Sequence, residues 1–334
     1  TQNTTIYLDA NGLASITTAN IDNGSNDNCG SVTLSLDSTN FDCSEVGVNT
    51  VTLYATDANN NLDSATATVT VVDTLLPTVI TQNATIYLDA NGLASINTAN
   101  IDNGSNDNCG SVTLSLDSTN FDCSEVGANT VTLYVTDANN NLDSATATVT
   151  VIDTLLPTVI TQNATVYLDA NGLASITTAD INNGSNDNCG NVTLSLDSTD
   201  FDCSEVGVNT VTLYATDANN NLDSATATVT VLDTLIPTVI TQNATVYLDA
   251  NGLASITTAD IDNGSNDNCG NVSLSLDSTN FDCSEVGVNT VTLYVTDANN
   301  NLDSATATVT VVDTLLPTVI TQNTTIYLDA NGLA

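Results

Sequence analysis

Apolar and polar residues alternate with a period of two along most of the first eighty positions, the signature of half-buried β-strands. In Ser31 to Leu36, Val32, Leu34 and Leu36 share one face and Ser31, Thr33 and Ser35 the other. Val51, Leu53 and Ala55 alternate with Thr50, Thr52, Tyr54 and Thr56. Ala65, Ala67, Val69 and Val71 oppose Ser64, Thr66, Thr68 and Thr70. Ile6 and Leu8 head another strand, and Leu13 to Ile16 with Ile21 give one or two more. β-Branched Thr, Val and Ile suit such a pleated, half-buried surface, and no stretch shows helical periodicity.

Turn chemistry divides the strands. Asp9-Ala10-Asn11-Gly12 carries the Asn-Gly pair of a tight hairpin. Asp57 to Asp63 reads as a longer loop, and Asn20 to Gly30 is rich in Asx and Gly. Six or seven short strands with turns every 8–12 residues predict an all-β, immunoglobulin-like two-sheet sandwich.

The pattern then restarts. The text from Thr1 to Ile80 returns at Thr81, Thr161 and Thr241 and reopens at Thr321, a tandem array with a period of 80 residues. Substitutions between copies keep polarity and approximate volume, as with Ile6 and Val166 or Ala55 and Val135. Pro77, Pro157, Pro237 and Pro317 follow the last strand of each copy and mark the boundaries. The expected modules are 1–76, lacking the first residues of its opening strand, then 77–156, 157–236 and 237–316. Residues 317–334 form the opening strand of a fifth. Short linkers and repulsion between acidic modules favour an extended rod or fibre.

Composition removes classes of function. The chain has 39 acidic residues and no Lys, Arg or His, a formal charge of −39. Nucleic acid and anionic membrane surfaces both require cations, so neither is an expected direct partner. No apolar run approaches the roughly 20 residues that span a bilayer. No signal peptide is visible, and the chain reads as a window on a longer array. Each copy holds two cysteines, Cys29 and Cys43, Cys109 and Cys123, Cys189 and Cys203, Cys269 and Cys283. An even count without CxxC pairs or His argues against zinc and for one disulfide within each module, hence an oxidising, extracellular setting. Closing so short a loop contributes about 3 kcal/mol.

Calcium is the sharpest chemical candidate. Asp57, Asn59, Asn61 and Asp63 present oxygens at alternate positions, although Leu62 and Thr68 stand where an EF-hand has Gly and Glu. A second cluster is Asp22, Asp27 and Asn26, joined by Asp73 near a module junction. Glycans are the other candidate. Ser38, Ser64 and Thr74 follow Asp and precede small or apolar residues, a bacterial O-glycosylation-like pattern, and Asn3, Asn23, Asn83 and Asn103 are among the N-x-S/T acceptors. The Thr66, Thr68 and Thr70 row has the spacing of an ice-binding face but is the ordinary solvent side of an amphipathic strand. Catalysis lacks its reactive groups: no His or Lys activates a Ser, and the cysteines are expected to be oxidised. Lys-dependent isopeptide links cannot form.

Several segments together carry a family resemblance. Asp27-Asn28-Cys29-Gly30, Phe41-Asp42-Cys43-Ser44 with Val46-Gly47, Asn49-Thr50-Val51-Thr52-Leu53 with Thr56-Asp57-Ala58-Asn59, and Ala67 to Asp73 with Pro77 resemble hyalin-repeat (HYR-like) modules. The resemblance covers every copy and implies tandem immunoglobulin-like sandwiches in large secreted surface proteins of Bacteroidetes-type bacteria, with a role in adhesion or spacing and no catalytic residues. The expected function is a structural stalk or filament segment at the cell surface, glycosylated and calcium-stiffened, with neighbouring modules or chains as partners. The alternative is an adhesin whose modules bind a carbohydrate or protein ligand. Interchangeable copies favour the stalk. The orphan segment, with Val319, Ile320, Ile326 and Leu328, also suggests strand addition to the first module of another chain, set against a plain cut in a longer array.

Overall fold

A computed structural model describes residues 1–334. In the first repeat the strands are β1 (Thr4–Tyr7), β2 (Leu13–Ser15), β3 (Thr33–Leu36), β4 (Asn40–Asp42), β5 (Gly47–Thr56) and β6 (Leu62–Val72). They form a four-stranded sheet in the order β1-β6-β5-β3 and a two-stranded sheet of β2 and β4. β5 and β6 pair antiparallel with Thr50 opposite Thr68, and β3 joins β5 with Leu36 opposite Leu53. β1 runs parallel to β6, Thr4 opposite Val69. Just before it, Asn3 Oδ1 accepts from Thr68 N at 2.9 Å and extends that ladder by a side chain.

The alternation read from the sequence sets the two faces. Val51, Leu53, Ala67, Val69 and Val71 of the large sheet pack inward against Leu8, Ile16, Ile21 and Phe41. The later copies repeat this architecture, their large sheets spanning Ala84–Ile152, Ala164–Leu232 and Ala244–Val312. The molecule is therefore all-β, four sandwich-like repeats each with its own core. Two compact units are resolved. One comprises Thr1–Pro157 with Asn186–Thr193 and Thr216–Leu222, the other Thr158–Ser185 with Leu194–Ala215 and Asp223–Ala334.

Two local expectations change. Ile21 is not on a strand but ends a single helical turn, Thr18–Ile21, and is fully buried. Asn20 Oδ1 accepts from Thr17 N at 2.7 Å, a reciprocal cap that holds the turn. One turn of helix is too short to leave a periodic signal. The Asp9–Gly12 turn, in turn, closes no hairpin between paired strands, because it passes from β1 in one sheet to β2 in the other. Asp9 Oδ1 accepts from Asn11 N at 2.8 Å and Leu13 N at 3.0 Å, and Gly12 sits at φ 72°, a conformation that favours glycine.

Candidate metal centre at the repeat junctions

The strand directions sort the loops to two ends of each repeat. Leu13 pairs with Asp42, which sets Cys43 beside the Asp9–Gly12 turn and near the end of β6. The Asp22–Gly30 and Asp57–Asn61 loops lie at the opposite end. Cys29 and Cys43 therefore do not meet, which corrects the expected pairing within a module. The disulfides instead join successive repeats: Cys43 to Cys109, Cys123 to Cys189 and Cys203 to Cys269, each across 66 residues. Cys29 and Cys283 are free thiols, exposed. The turn glycine belongs to this contact. A Cβ on Gly92 would stand 2.5 Å from Cys123 Sγ and 3.0 Å from the carbonyl oxygen of Asn188.

The linker after β6 is hydrogen-bonded to the next repeat. Asp73 is 5% exposed, and its carboxylate and carbonyl accept from Asn139 Nδ2 at 3.0 Å and Asn141 Nδ2 at 3.3 Å in the next repeat. Thr78 N donates to Asn106 O at 2.7 Å, and Asn106 N returns a bond to Thr78 O at 3.0 Å. Asn108 Nδ2 reaches back to Asp9 O at 3.3 Å. The same contacts recur in the second unit, where Asn268 Nδ2 donates to Asp169 O at 3.3 Å and Asn301 Nδ2 to Asp233 O at 3.2 Å.

Carboxylates converge at these joints. One ligand atom each from Asp73, Asp107 and Cys109 lies within 4.8 Å of the others, as do those of Asp153, Asp187 and Cys189, and of Asp233, Asp267 and Cys269. The sulfurs are in disulfides, so the chemistry rests on oxygen. Asp233 is 7% exposed, yet its Oδ2 accepts no hydrogen bond; nor do the buried Oδ1 atoms of Asp107, Asn108, Asp267 and Asn268. Two ionised carboxylates whose oxygens lie within 4.8 Å of each other repel by about 3 kcal/mol or more at an effective dielectric of ~20. No Lys, Arg or His exists to offset this. A set of carboxylate and amide oxygens suits a hard divalent cation.

The sequence candidates divide accordingly. Asp27, through its counterparts Asp107, Asp187 and Asp267, belongs to the junction with Asp73, Asp153 and Asp233. Asp22 organises its own loop, where the Ser25 hydroxyl and backbone N–H hold its carboxyl below the usual 3.8. Asp57 does likewise. Its Oδ1 accepts from Asn59 N and Asn61 N at 2.8 Å, and the Asn61 amide is the main group that lowers its carboxyl below the ordinary value. Asp63 accepts from Ser64 N at 2.8 Å, and Asp57, Asn61 and Asp63 line one open cavity of the first repeat. Asn60 takes φ 68° at the tip of this loop. Asn108, Asn188 and Asn268 were invisible to spacing arguments; their one sequence signal is an amide directly before a cysteine.

Of the glycan candidates, Ser64, Thr74, Asn23 and Asn103 are exposed and Ser38 half-buried. Asn3 and Asn83 are exposed, but their amide oxygens are committed to Thr68 N and Thr148 N. No helix is long and apolar enough to cross a membrane.

The chain is thus an array of disulfide-joined β-sandwich repeats. No protein-family model matches it. A stretch of 114 residues, 30% of the chain, is 35% identical to the serine-rich adhesin for platelets of Staphylococcus aureus. The chain spans 8% or less of the length of these curated relatives. Among solved structures, the protocadherin GammaB4 extracellular domain matches at a TM-score of 0.32 and 15% identity, over 84% of this chain and 59% of that one. Drosophila N-cadherin EC1-4 matches at 0.31 and 10% identity, over 94% and 98%.

Proposed function

We propose that the chain is a non-catalytic structural segment of an extracellular array, a hyalin-repeat-like stalk or filament of a bacterial surface protein. The observation that carries this reading is the joint. Each repeat is tied to the next by a disulfide, a buried linker and amide bonds, so the elaborated chemistry lies between repeats. Cystines of this kind belong to oxidising compartments. The buried, unpaired oxygens of Asp107, Asn108, Asp233, Asp267 and Asn268 fit a calcium ion at each junction, which would neutralise the facing carboxylates and stiffen the joint. Exposed Ser64 and Thr74 are open to O-linked glycans.

Single-molecule pulling tests the reading. The oxidised chain in calcium should resist extension, because each cystine shields 66 residues from the applied tension. Reduction should then release roughly 230 Å of additional contour per cystine. Chelation should lower the unfolding force, and Asp233→Asn should weaken that calcium dependence. Equal extensions with and without reductant, together with forces indifferent to calcium, refute it.

A further inference from the structure

At the first junction the buried oxygens without a partner belong to consecutive residues, Asp107 and Asn108, and the next residue is the bridging Cys109. Both side chains are oriented at the cystine. Cys109 N donates to Asp107 Oδ2 at 2.7 Å, which leaves Oδ1 buried and unbonded. Asn108 Nδ2 lies 3.3 Å from Asp9 O and 3.5 Å from Cys109 Sγ, which leaves its amide oxygen in the same condition. At the third junction Cys269 N donates to Asp267 Oδ2 at 2.9 Å and Asn268 Nδ2 to Asp169 O at 3.3 Å, and the Oδ1 atoms of both residues are again buried and unbonded. The second junction repeats the cysteine bond, Cys189 N to Asp187 Oδ2 at 2.8 Å.

The facing carboxylate comes from the linker that ends the preceding repeat. Asp73, Asp153 and Asp233 are all buried, and each is anchored within its own linker: Leu75 N, Leu155 N and Leu235 N donate to their Oδ1 atoms at 3.2, 3.1 and 3.2 Å. At every junction one oxygen of this Asp, one of the Asp before the cysteine, and the cysteine sulfur lie within 4.8 Å of one another. Covalent bond and charge therefore oppose each other. The cystine draws together two carboxylates that repel, in a chain with no cationic side chain to offset them. Breaking the S–S bond frees the Asp-Asn-Cys segment to carry its carboxylate away from the linker Asp. A divalent cation between the carboxylates favours the opposite movement.

We propose that the cystine and the calcium site of each junction are thermodynamically coupled, so that the bond assembles the ligand oxygens and the ion holds the bond oxidised. This rests on the calcium reading given above and adds its redox control. Linkage makes the effect reciprocal: whatever factor reduction costs in calcium affinity, saturating calcium returns as resistance to reduction. The reductant is a dithiol. Its thiolate attacks one sulfur of the cystine and the other sulfur leaves as a thiolate; the second thiol of the reagent then displaces the first cysteine. The reagent ends as a cyclic disulfide, and two electrons and two protons leave the chain with two cysteine thiols. Low calcium and a reducing milieu thus act together to loosen a joint, and calcium alone protects it.

The test uses the chain carrying Cys29→Ser and Cys283→Ser, in which only the bridging cysteines remain. It is equilibrated in mixtures of oxidised and reduced dithiothreitol, with saturating calcium or with a chelator, then quenched, alkylated and cleaved before Asp for mass spectrometry. The peptides of Cys109, Cys189 and Cys269 differ in sequence, so each joint is read by itself. Calcium should shift the equilibrium at least tenfold toward the cystine at all three, about 30 mV in potential. Calorimetric titration should find the same factor between the oxidised and reduced chains. The near-isosteric Asp233→Asn should shrink the calcium shift at Cys269 at least threefold and leave those at Cys109 and Cys189 unchanged, a comparison that holds even where the reduced chain loses its fold. An oxidised chain that binds no calcium refutes the calcium reading and the coupling together. Calcium bound equally tightly by both redox forms, or an undiminished shift at Cys269 in Asp233→Asn, overturns the coupling alone.

Discussion

Replacing Cys43 and Cys109 together by Ser tests the joint most directly. Their cystine closes a loop of 66 residues that contains β5, β6, the linker and the opening strands of the second repeat. On the chain-entropy relation a loop of that length contributes about 4 kcal/mol, against about 3 kcal/mol for the short loop a Cys29–Cys43 bond would close. The contribution also differs in kind. An internal staple would stabilise one repeat, whereas this bond couples two, so that in a nearest-neighbour description it belongs to the interface. For a coupled pair of about 160 residues, 4 kcal/mol corresponds to a fall in Tm of roughly 10 °C. Differential scanning calorimetry of the oxidised parent and the double variant should show that fall confined to part of the transition, the other two joints being unchanged. Coincident melting curves, or a parent whose non-reducing peptide map links Cys29 to Cys43, would refute the reasoning.

Two further outcomes follow from the same geometry. Gly92→Ala places a Cβ against both Cys123 Sγ and Asn188 O at φ 73°, whereas Gly252→Ala meets only Cys283 Sγ; chemical denaturation should find the first costlier by about 1–2 kcal/mol, and equal losses would deny the glycine a part in the joint. Asp9 is held below 3.8 chiefly by the Leu13 N–H, and Asp42 chiefly by the Ser44 hydroxyl; carboxyls depressed on folding contribute stability above their unfolded value and lose it as pH falls through the folded one, so in screening salt the Tm should be level above about pH 5 and decline below 3.8, and a Tm that rises on acidification there would contradict these bonds.

The period-two pattern made the sandwich legible because each strand must bury one face. Val51, Leu53, Val69 and Val71 are inward as alternation requires, and the core Phe41 sits opposite Ala14 in β2 and β4. The helical turn at Ile21 escaped because its structure comes from one reciprocal cap, a local bond with no period. The disulfides escaped for a different reason. In an array of near-identical units, a cysteine stands at one fixed distance from its partner within the unit and at another from the same residue in the following unit. Spacing cannot choose between them. Only strand direction can, since the register of Leu13 with Asp42 sends Cys43 to the end where the following repeat begins. The same reasoning explains the carboxylates. Asp73 and Asp107 are remote along the chain and belong to different repeats, but opposite ends of adjoining sandwiches must face each other, so their proximity is a property of the joint. Asp57, by contrast, has the regular oxygen spacing of a binding loop and uses it on its own backbone. The amides that share its spacing do otherwise: Asn139 and Asn141, the counterparts of Asn59 and Asn61, donate across the boundary to Asp73, and it is at such boundaries that Asp107, Asp233 and Asp267 keep oxygens with bonding capacity to spare.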